Sequence, residues 1–283
     1  MIINPFIFGS VAPSTYLVDL YSPEGSFSFR KTSSTSTNAI RIRRSSDSAE
    51  QDIGFVGDDL DTASMATFVG ANSAYLTTWY DQSGNGFNLT QTTATKQPRI
   101  VNAGTNETHN GFVCAKYDGI NDWLTGGTSF MNLNGLDSMF STAVVSSTLG
   151  NEVIYARSRY ASADGRFTMN SSGGVNSVLI QNTLNIKNPI GGSGTGLYNQ
   201  QWDGANLRIY KNDSLQISNV IAGTCGNLVS RFLVGAYNNA GDTGEQAGFF
   251  QSGKIQELNI WKVDKSADRT DINTDINTYY TIY

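Results

Sequence analysis

The sequence predicts an all-β fold in which two antiparallel sheets pack face to face. Short runs rich in β-branched and aromatic residues recur along the chain, turn residues separate them, and strands do not alternate with long helices. The 283 residues suit one large all-β domain as well as two smaller ones. Hydrophobic residues make up 39% and charged residues only 15%, so a core is available and the faces are mostly uncharged and polar.

Strands are predicted in the first half over residues 27–30, 39–44, 75–81, 98–101 and 112–117. In the second half they are predicted over residues 140–146, 153–157, 166–169, 175–180, 197–202, 207–210, 215–217, 232–236 and 249–261. Asp203-Gly204 and Asn212-Asp213 predict turns between strands. In the closing strand, alternation places Ile255 on the same face as Glu257, Asn259 and Trp261.

Two helices are expected besides the strands. Residues 45–61 are acidic and turn-like, and Asp61 or Thr62 can cap a short helix over residues 63–69 by accepting from its free amides. The C-terminal segment forms an amphipathic helix that Ser266 can cap. Its apolar side carries Ile272, Ile276, Tyr279 and Tyr280.

The first 25 residues differ from the rest and are interpreted as a docking arm, with the sandwich domain covering residues 26–283. Residues 16–21 look strand-like, and a short apolar cluster precedes them. The docking residues are Pro5, Phe6, Ile7 and Phe8. Because exposed hydrophobic side chains are costly unless covered, the arm is expected to dock either on its own domain or on a partner.

The run Trp-Tyr-Asp-Gln-Ser-Gly-Asn-Gly over residues 79–86 predicts a strand that ends in a sharp turn and resumes at Phe87. A purely structural turn is the favoured interpretation. The alternative is a polar rim at the sheet end, where carbohydrate or ion sites often lie. That rim would consist of Asp81, Gln82, Asn85 and Asn88.

The charge of the chain argues against nucleic-acid binding. There are 19 basic and 24 acidic residues, a net charge of −5, whereas a nucleic-acid binder needs a basic face. One basic cluster stands out over residues 41–44, where alternation turns Ile40 and Ile42 inward. We favour a solvated or ion-paired face there, with a polyanion patch as the alternative.

No run is long enough to span a membrane, so no membrane insertion is expected.

Few residues suit metal or redox chemistry. Cys114 and Cys225 each lie in or beside an apolar run, so free buried cysteines are favoured over a disulfide. His109 is the only histidine and lies in a polar loop, which excludes a multi-histidine metal site. The acidic residues of segment 58–61 offer oxygen ligands for Ca²⁺, although a solvated acidic turn is favoured and no cofactor is expected.

Several of these segments resemble one family. Residues 39–47 (Ala-Ile-Arg-Ile-Arg-Arg-Ser-Ser-Asp), 52–55 and 79–86 resemble the amino-terminal half of arabinofuranosidase B-type catalytic domains. Residues 253–261 resemble the last strand of laminin G-like and concanavalin A-like domains. The resemblance covers residues 26–283 and implies a concanavalin A-like jelly roll and, in the arabinofuranosidases, retaining hydrolysis of α-L-arabinofuranosides.

The resemblance also shows where the catalytic pair would lie. The family nucleophile, a glutamate, follows a Tyr-Gly-Asn-Ala run, but here residues 155–157 read Tyr-Ala-Arg, with Glu152 and Asp164 nearby. The family acid lies in a Gly-Gly-Asp-Asn loop, but here residues 235–239 read Gly-Ala-Tyr-Asn-Asn, followed by Asp242. A retaining glycosidase needs two carboxyls about 5–5.5 Å apart, so these departures predict a chain that is not an enzyme. Glu257 is expected to be structural.

Similar domains with the Arg-Arg-Ser-Ser-Asp and Trp-Tyr-Asp-Gln-Ser-Gly segments recur in tailed-bacteriophage proteins. With no basic segment at the start, unlike a signal peptide, the resemblance implies a virion protein: a capsid decoration, or a fibre or tail adhesin, homo-oligomeric and bound to other virion proteins through its arm. As an adhesin it would contact host glycans through Trp202, Tyr237, Asn238 and Asp242, with core packing as the alternative for Trp202. The alternatives are a retaining glycoside hydrolase and a secreted or cell-surface lectin.

Overall fold

The computed structural model describes residues 15–132, 135–147, 151–157, 166–172, 175–180, 188–189, 195–220, 224–225 and 229–283. For residues 151–152, 166, 170–172, 175–180 and 188–189 it describes the backbone alone. The fold is an all-β antiparallel sandwich of the concanavalin A-like type with one C-terminal helix, as predicted. Within the described residues, no helix has the length and apolar character to cross a membrane.

Twelve strands lie in the first half of the described chain. They are β1 Gly25–Ser28, β2 Asn38–Arg44, β3 Glu50–Val56, β4 Asp59–Leu60, β5 Ala74–Trp79, β6 Leu89–Thr90, β7 Arg99–Asn102, β8 Thr105–Asn106, β9 Thr108–His109, β10 Phe112–Val113, β11 Ala115–Asp118 and β12 Leu124–Gly127. A single 3-10 turn spans Ala94–Lys96.

Twelve more strands follow in the described part of the second half. They are β13 Met139–Ser147, β14 Asn151–Arg157, β15 Arg166–Ser172, β16 Val175–Ile180, β17 Asn188–Pro189, β18 Gly196–Trp202, β19 Asn206–Lys211, β20 Ser214–Val220, β21 Phe232–Val234, β22 Ala236–Asn238, β23 Glu245–Phe250 and β24 Ser252–Trp261. The helices are α1 Leu17–Tyr21, α2 Thr62–Val69 and α3 Arg269–Tyr280.

Strand pairing divides the sandwich into two layers. The first runs β20-β19-β18-β13-β24, continues through β1 and β11 side by side along β24, and ends with β7, β5, β2 and β3. The second runs β6-β12-β21-β14-β15-β16-β17, and β6 joins it to β5. Tyr155 of β14 reaches across the core, where its hydroxyl is 2.7 Å from Ser141 Oγ and donates to Gln200 Oε1 at 2.6 Å. The two layers therefore face each other.

The core between the layers is apolar and rich in aromatic side chains. Ile40 and Ile42 of β2 are fully buried there, which confirms the predicted alternation around the basic cluster. Trp79, Tyr155 and Phe232 are buried in the same core, and Tyr155 stacks on Phe232 with ring centroids 5.8 Å apart. Burial of such rings supplies most of the stabilisation of a sandwich core.

A bulge in β24 corrects one predicted face. Val144 of β13 pairs with Glu257, but its neighbour Val145 pairs with Ile255, so Gln256 is left over. The extra residue returns Ile255 to the core, whereas Glu257 faces outward. The prediction that Ile255 and Glu257 share a face was therefore wrong.

The outer face of the first layer is partly covered by helices. Ile272, Ile276 and Tyr280 of α3 pack on Phe140 and Trp261, as the apolar side of the helix predicts. The N-cap residue of α3 is Asp268, and α3 begins at Arg269, so the predicted cap at Ser266 was wrong.

Within the predicted strand of residues 16–21, Leu17–Tyr21 form helix α1 instead. Leu17 and Val18 are buried beside α3, and Trp261 Nε1 donates to the carbonyl of Tyr21 at 2.7 Å. A six-residue apolar run does not distinguish strand from helix, and packing against α3 decides the outcome. The described part of the arm thus docks on its own domain. Residues 5–8 lie outside the described residues.

Several local predictions are confirmed. Helix α2 has Asp61 as its N-cap, and its carboxylate accepts from Ser64 N at 2.9 Å. Asn212 and Asp213 both have positive φ and connect β19 to β20. The segment predicted as acidic turns also contains strand β3, which pairs with β2.

The predicted strand over residues 232–236 is split at Gly235. This residue has φ of +92°, and a Cβ there would lie 2.5 Å from the ring of Tyr117, so only glycine fits. The strand predicted over residues 112–117 is likewise split, at Cys114. Cys114 and Cys225 are both free and buried, as favoured, and burial raises the pKa of each thiol to about 12.

Candidate functional site

Glu257, the carboxylate of the closing strand, lies in a buried ion network beneath α3. It is fully buried, and its carboxylate accepts from Arg30 Nε at 2.8 Å and Nη2 at 3.1 Å. Ser28 Oγ and Asn259 Nδ2 each donate to it at 2.8 Å. Arg30 also pairs with Asp275 of α3 at 2.5 Å. Since both of its oxygens are engaged, Glu257 holds α3 to the sheet, which confirms its structural interpretation.

The loop after β5 is organised by Asp81. Its carboxylate accepts from the backbone amides of Ser26, Ser83 and Phe87 at 2.9–3.0 Å. Asn88 closes the turn by accepting from Asp81 N at 2.9 Å. The carboxylate therefore fixes the turn and ties it to β1.

The neighbouring polar side chains of this loop also bind the chain itself. Gln82 is buried, accepts from Thr32 N at 2.8 Å, and donates to the carbonyls of Ser28 and Arg30. Asn85 Nδ2 donates to the carbonyl of Glu24 at 3.0 Å. The side chains of the predicted polar rim thus stabilise the local structure, which agrees with the favoured interpretation of a purely structural turn.

The four predicted sugar-contacting residues do not form one exposed surface. Trp202 is only 1% exposed and packs in the core from β18. Tyr237 and Asn238 are buried on β22, where Tyr237 Oη donates to Thr168 Oγ1. Asp242 lies beside them and pairs with Arg231 at 3.5 Å. Burial leaves these rings no accessible face for stacking on a sugar.

Arg157 lies in the region where the arabinofuranosidases carry their nucleophilic glutamate. This arginine is 1% exposed and donates to the carbonyls of Phe130 and Thr128, and burial lowers its pKa to about 10. Its role is to tie β14 to the segment after β12. The side chain of Glu152 and all of Asp164 lie outside the described residues.

The acidic segment considered for Ca²⁺ has other partners. Asp58 accepts from Tyr16 Oη at 2.7 Å, Asp59 accepts from Tyr279 Oη at 2.6 Å, and Asp61 caps α2. Within the described ranges, no group of three potential ligands is arranged to hold a metal ion.

An open cleft of about 920 Å³ lies on the uncovered part of the outer face of the first layer. Its floor is a row of side chains contributed by five neighbouring strands, each opposite the next across the sheet. The row runs from β2 to β24 as Arg43, Tyr75, Arg99, Lys116 and Lys254. With strands about 4.8 Å apart, the row is about 19 Å long. Four of its five members are cations.

Three of the four cations have partners that fix their position. Arg43 Nε donates to Gln97 Oε1 at 2.8 Å, and its guanidinium lies 5.2 Å from the centre of the Tyr75 ring. Arg99 Nη2 pairs with Glu107 at 2.7 Å. Lys254 Nζ donates to the carbonyl of Thr108 at 2.7 Å.

Lys116 is different, because it makes no hydrogen bond or ion pair with any residue in the described part of the chain. It lies directly between Arg99 and Lys254 in the row. Its ammonium is therefore the cation of the cleft with the fewest ties to the protein.

Two carboxyls also line the cleft. Asp118 accepts from the backbone amides of Ile120 and Asn121, at 2.7 and 3.1 Å, and Asp122 accepts from Asp118 N at 2.9 Å. Burial and the neighbouring charge of Asp118 raise the pKa of Asp122 to about 7, although its hydrogen bond and Arg99 act in the opposite direction. A buried acid of this kind is either a turn-forming residue or a proton donor.

The sequence did not predict this cleft. Of the row in the cleft floor, only Arg43 belongs to the basic cluster over residues 41–44. The other residues of the row are isolated basic or aromatic residues in the sequence. Alternation along β11 and β24 places each side chain on the outer face, but which residues become neighbours depends on strand register across the sheet. The other two arginines of the basic cluster over residues 41–44 form ion pairs, as predicted for that cluster. Arg41 pairs with Asp52 at 2.7 Å, and Arg44 pairs with Asp47 at 2.6 Å.

Comparison with solved structures identifies the fold. A GH54 α-L-arabinofuranosidase soaked with a cyclic sulfate inhibitor matches with a TM-score of 0.66 and 15% identity over 90% of this chain. An arabinofuranosidase complexed with arabinofuranosyl-α-1,2-xylobiose gives the same values. The chain spans 62% of the length of each of these proteins. No protein-family model matches the chain. No curated protein matches it. The chain therefore has the β-sandwich fold found in carbohydrate-active proteins.

Proposed function

We propose that this chain is a non-hydrolytic, glycan-binding sandwich of a tailed-bacteriophage particle, acting as a capsid decoration or as a fibre or tail adhesin. The observation that carries the glycan-binding part is the open cleft on the first layer. Its lining combines the Tyr75 ring with the hydroxyls of Thr95 and Ser146 and with the basic row. Glycan sites use such planar polar groups beside an aromatic ring.

The absence of hydrolysis is proposed because the family positions carry no carboxylate, and the described acids considered in their place, Asp242 and Glu257, have partners within the chain. Glu257 is held by Arg30, Asp242 is paired with Arg231, and an arginine stands at position 157. A retaining mechanism needs one carboxylate free to attack and a second to donate a proton. Both oxygens of Glu257 are engaged, and Asp242 contacts Arg231 through one oxygen, so these two groups do not form a free catalytic pair.

Membership of a virion is proposed from the resemblance of residues 43–47 and 79–84 to segments of phage proteins. The assembly contact is assigned to the arm, in particular to Pro5, Phe6, Ile7 and Phe8. Deletion of residues 1–10 is expected to leave a folded sandwich that is no longer incorporated into particles. Incorporation of the shortened chain at the normal level would contradict this assignment.

Glycan binding is tested with purified protein on a glycan array, together with assays on 4-nitrophenyl α-L-arabinofuranoside and arabinan. We expect glycan binding without release of nitrophenol or arabinose. Tyr75→Ala should reduce binding at least fivefold, because it removes the aromatic ring of the cleft floor. Tyr283→Ala, which removes an exposed ring outside the cleft, is the matched control. An array without any binding would overturn the glycan-binding proposal.

The second candidate is a retaining hydrolase with relocated carboxylates, and Asp122 is the observation that favours it. Its pKa of about 7 suits a general acid, and Asp118 is a neighbouring carboxylate. Hydrolysis of an aryl arabinofuranoside that disappears in Asp122→Asn would establish this candidate. Hydrolysis that persists in Asp122→Asn would place the chemistry elsewhere.

A further inference from the structure

The row across the cleft brings like charges together. Lys116 is the direct cross-strand partner of Arg99 on one side and of Lys254 on the other. Directly opposed like charges destabilise a sheet, so two consecutive pairs of this kind need a compensating role. A bound anion would supply it.

The local charge of the cleft is opposite to that of the chain. Its lining contains four basic residues and two acidic ones, and Glu107 pairs with Arg99. One positive charge therefore remains in excess, whereas the whole chain carries −5. One of the acidic residues, Asp122, is buried and is not fully ionised at neutral pH. The cleft is therefore a restricted positive site on a negatively charged protein.

We infer that the cleft binds an acidic glycan, an oligosaccharide with carboxylate groups along it, and that Lys116 is the residue that contacts a carboxylate. This inference rests on the proposed glycan-binding function and specifies its ligand. The side chains of Tyr75 and Ser146 lie between and beside the cations and suit the sugar rings and hydroxyls. A nucleic acid, which carries a charge on every nucleotide, is disfavoured by the net charge of −5.

The hydrogen-bond and ion-pair partners of the other cations explain why Lys116 is the residue assigned to the carboxylate contact. Gln97 holds Arg43 in place and Glu107 holds Arg99, so both guanidinium groups have fixed positions in the floor of the cleft. Lys116 has no partner in the described part of the chain, so it gives up none when a carboxylate binds. A charge-assisted hydrogen bond of this type, partly shielded from water, is worth a change in affinity of roughly tenfold.

The first test compares acidic glycans with neutral forms of the same glycans. The probes are oligogalacturonate and sialyllactose, each beside its methyl ester, on one array with an oligonucleotide as a further probe. We expect at least one acidic probe to bind tenfold or more tightly than its ester, and the difference to shrink in 0.5 M NaCl because salt screens the cleft. Equal binding of acids and esters would overturn the inference and leave the proposed function standing. No binding to any glycan would overturn both, and tighter binding of the oligonucleotide would overturn the choice of a glycan.

The second test assigns the contact to Lys116. Lys116→Gln is expected to weaken binding of the best acidic probe about tenfold and to leave its methyl ester unaffected, whereas Lys116→Arg should retain most of the affinity. Lys31→Gln is the matched control, because Lys31 lies outside the cleft over the ring of Tyr16. Equal loss in Lys116→Gln and Lys31→Gln, or no loss in either, would remove Lys116 from the site. Thermal unfolding of each variant separates lost binding from lost structure.

Discussion

The outer face of the first layer carries charge in two regions that are built in opposite ways. Beneath α3, Arg30 lies between Glu257 and Asp275, and opposite charges meet at 2.5–2.8 Å in a buried setting. In the cleft, Lys116 lies between Arg99 and Lys254, and like charges meet in a half-exposed setting. Both regions include strand β24. The charges beneath α3 therefore stabilise the fold, whereas the like charges of the cleft do not.

This comparison has a physical basis in where each charge is neutralised. A buried ion is stable only when partners replace its water, so every group beneath α3 is paired. A half-exposed cation keeps water and needs no protein partner. An unpaired, partly exposed cation is therefore available to a ligand, whereas Arg30 and Glu257 are not.

The largest expected effect comes from breaking the buried network. Glu257→Gln leaves Arg30 without its main counter-charge, and loss of one partner of a buried ion pair costs about 3–5 kcal/mol. Chemical denaturation should report this loss, with an unchanged slope. Asp47→Asn, in the exposed pair with Arg44, is the control and should leave the midpoint nearly unchanged. Similar midpoints for the two variants would show that the network beneath α3 is not structural.

The next effect concerns Asp122, the buried carboxyl that lines the cleft. The pKa of Asp122 is raised to about 7 in the folded protein, so between about pH 4 and pH 7 the folded state binds more protons than the unfolded state. Its contribution to stability is therefore present below pH 4 and is lost as the pH rises through 7. Asp122→Asn should remove this loss and gain about 2–4 kcal/mol relative to the wild type between pH 4 and pH 8. Parallel stability curves for the two proteins would show that Asp122 titrates normally.

A smaller effect is expected from the loop after β5. Asp81→Ala removes the acceptor for three backbone amides, of Ser26, Ser83 and Phe87, and should cost about 1–3 kcal/mol. Asp137→Ala, at an exposed position, serves as the control. If Asp81→Ala were as stable as the control but lost glycan binding, the loop would be a binding rim and not a structural turn.

Much of the fold follows from the sequence because strand alternation is a local signal. Ile40 and Ile42 face the core as alternation predicts, and Asp61 caps α2 as its position predicts. The errors arise where distant contacts decide. Leu17–Tyr21 became a helix because α3 offers them a surface, and Ile255 changed face because of a bulge at Gln256.

The candidate site was less accessible to prediction for the same reason. The candidates for glycan contact included the aromatic residues Trp202 and Tyr237, which the structure buries. Lys116 and Lys254 are separated by more than a hundred residues, and neither is unusual in its own segment. The register of β11 on β24 makes them neighbours, and register depends on bulges and turns that the sequence does not display.

The smallest expected effect bears most directly on the comparison. Lys116→Gln removes one cation from between two others, so the variant should be more stable than the wild type by about 0.2–1 kcal/mol at low salt. The gain should disappear in 0.5 M NaCl, because salt screens charges that are partly exposed. Lys31→Gln, which has no opposed cation, should show neither the gain nor its salt dependence. A loss of stability in Lys116→Gln would mean that this lysine has a structural partner, and the cleft would then resemble the network beneath α3. A gain would identify a charge kept at a cost to the fold, which is the property expected of a residue retained for binding.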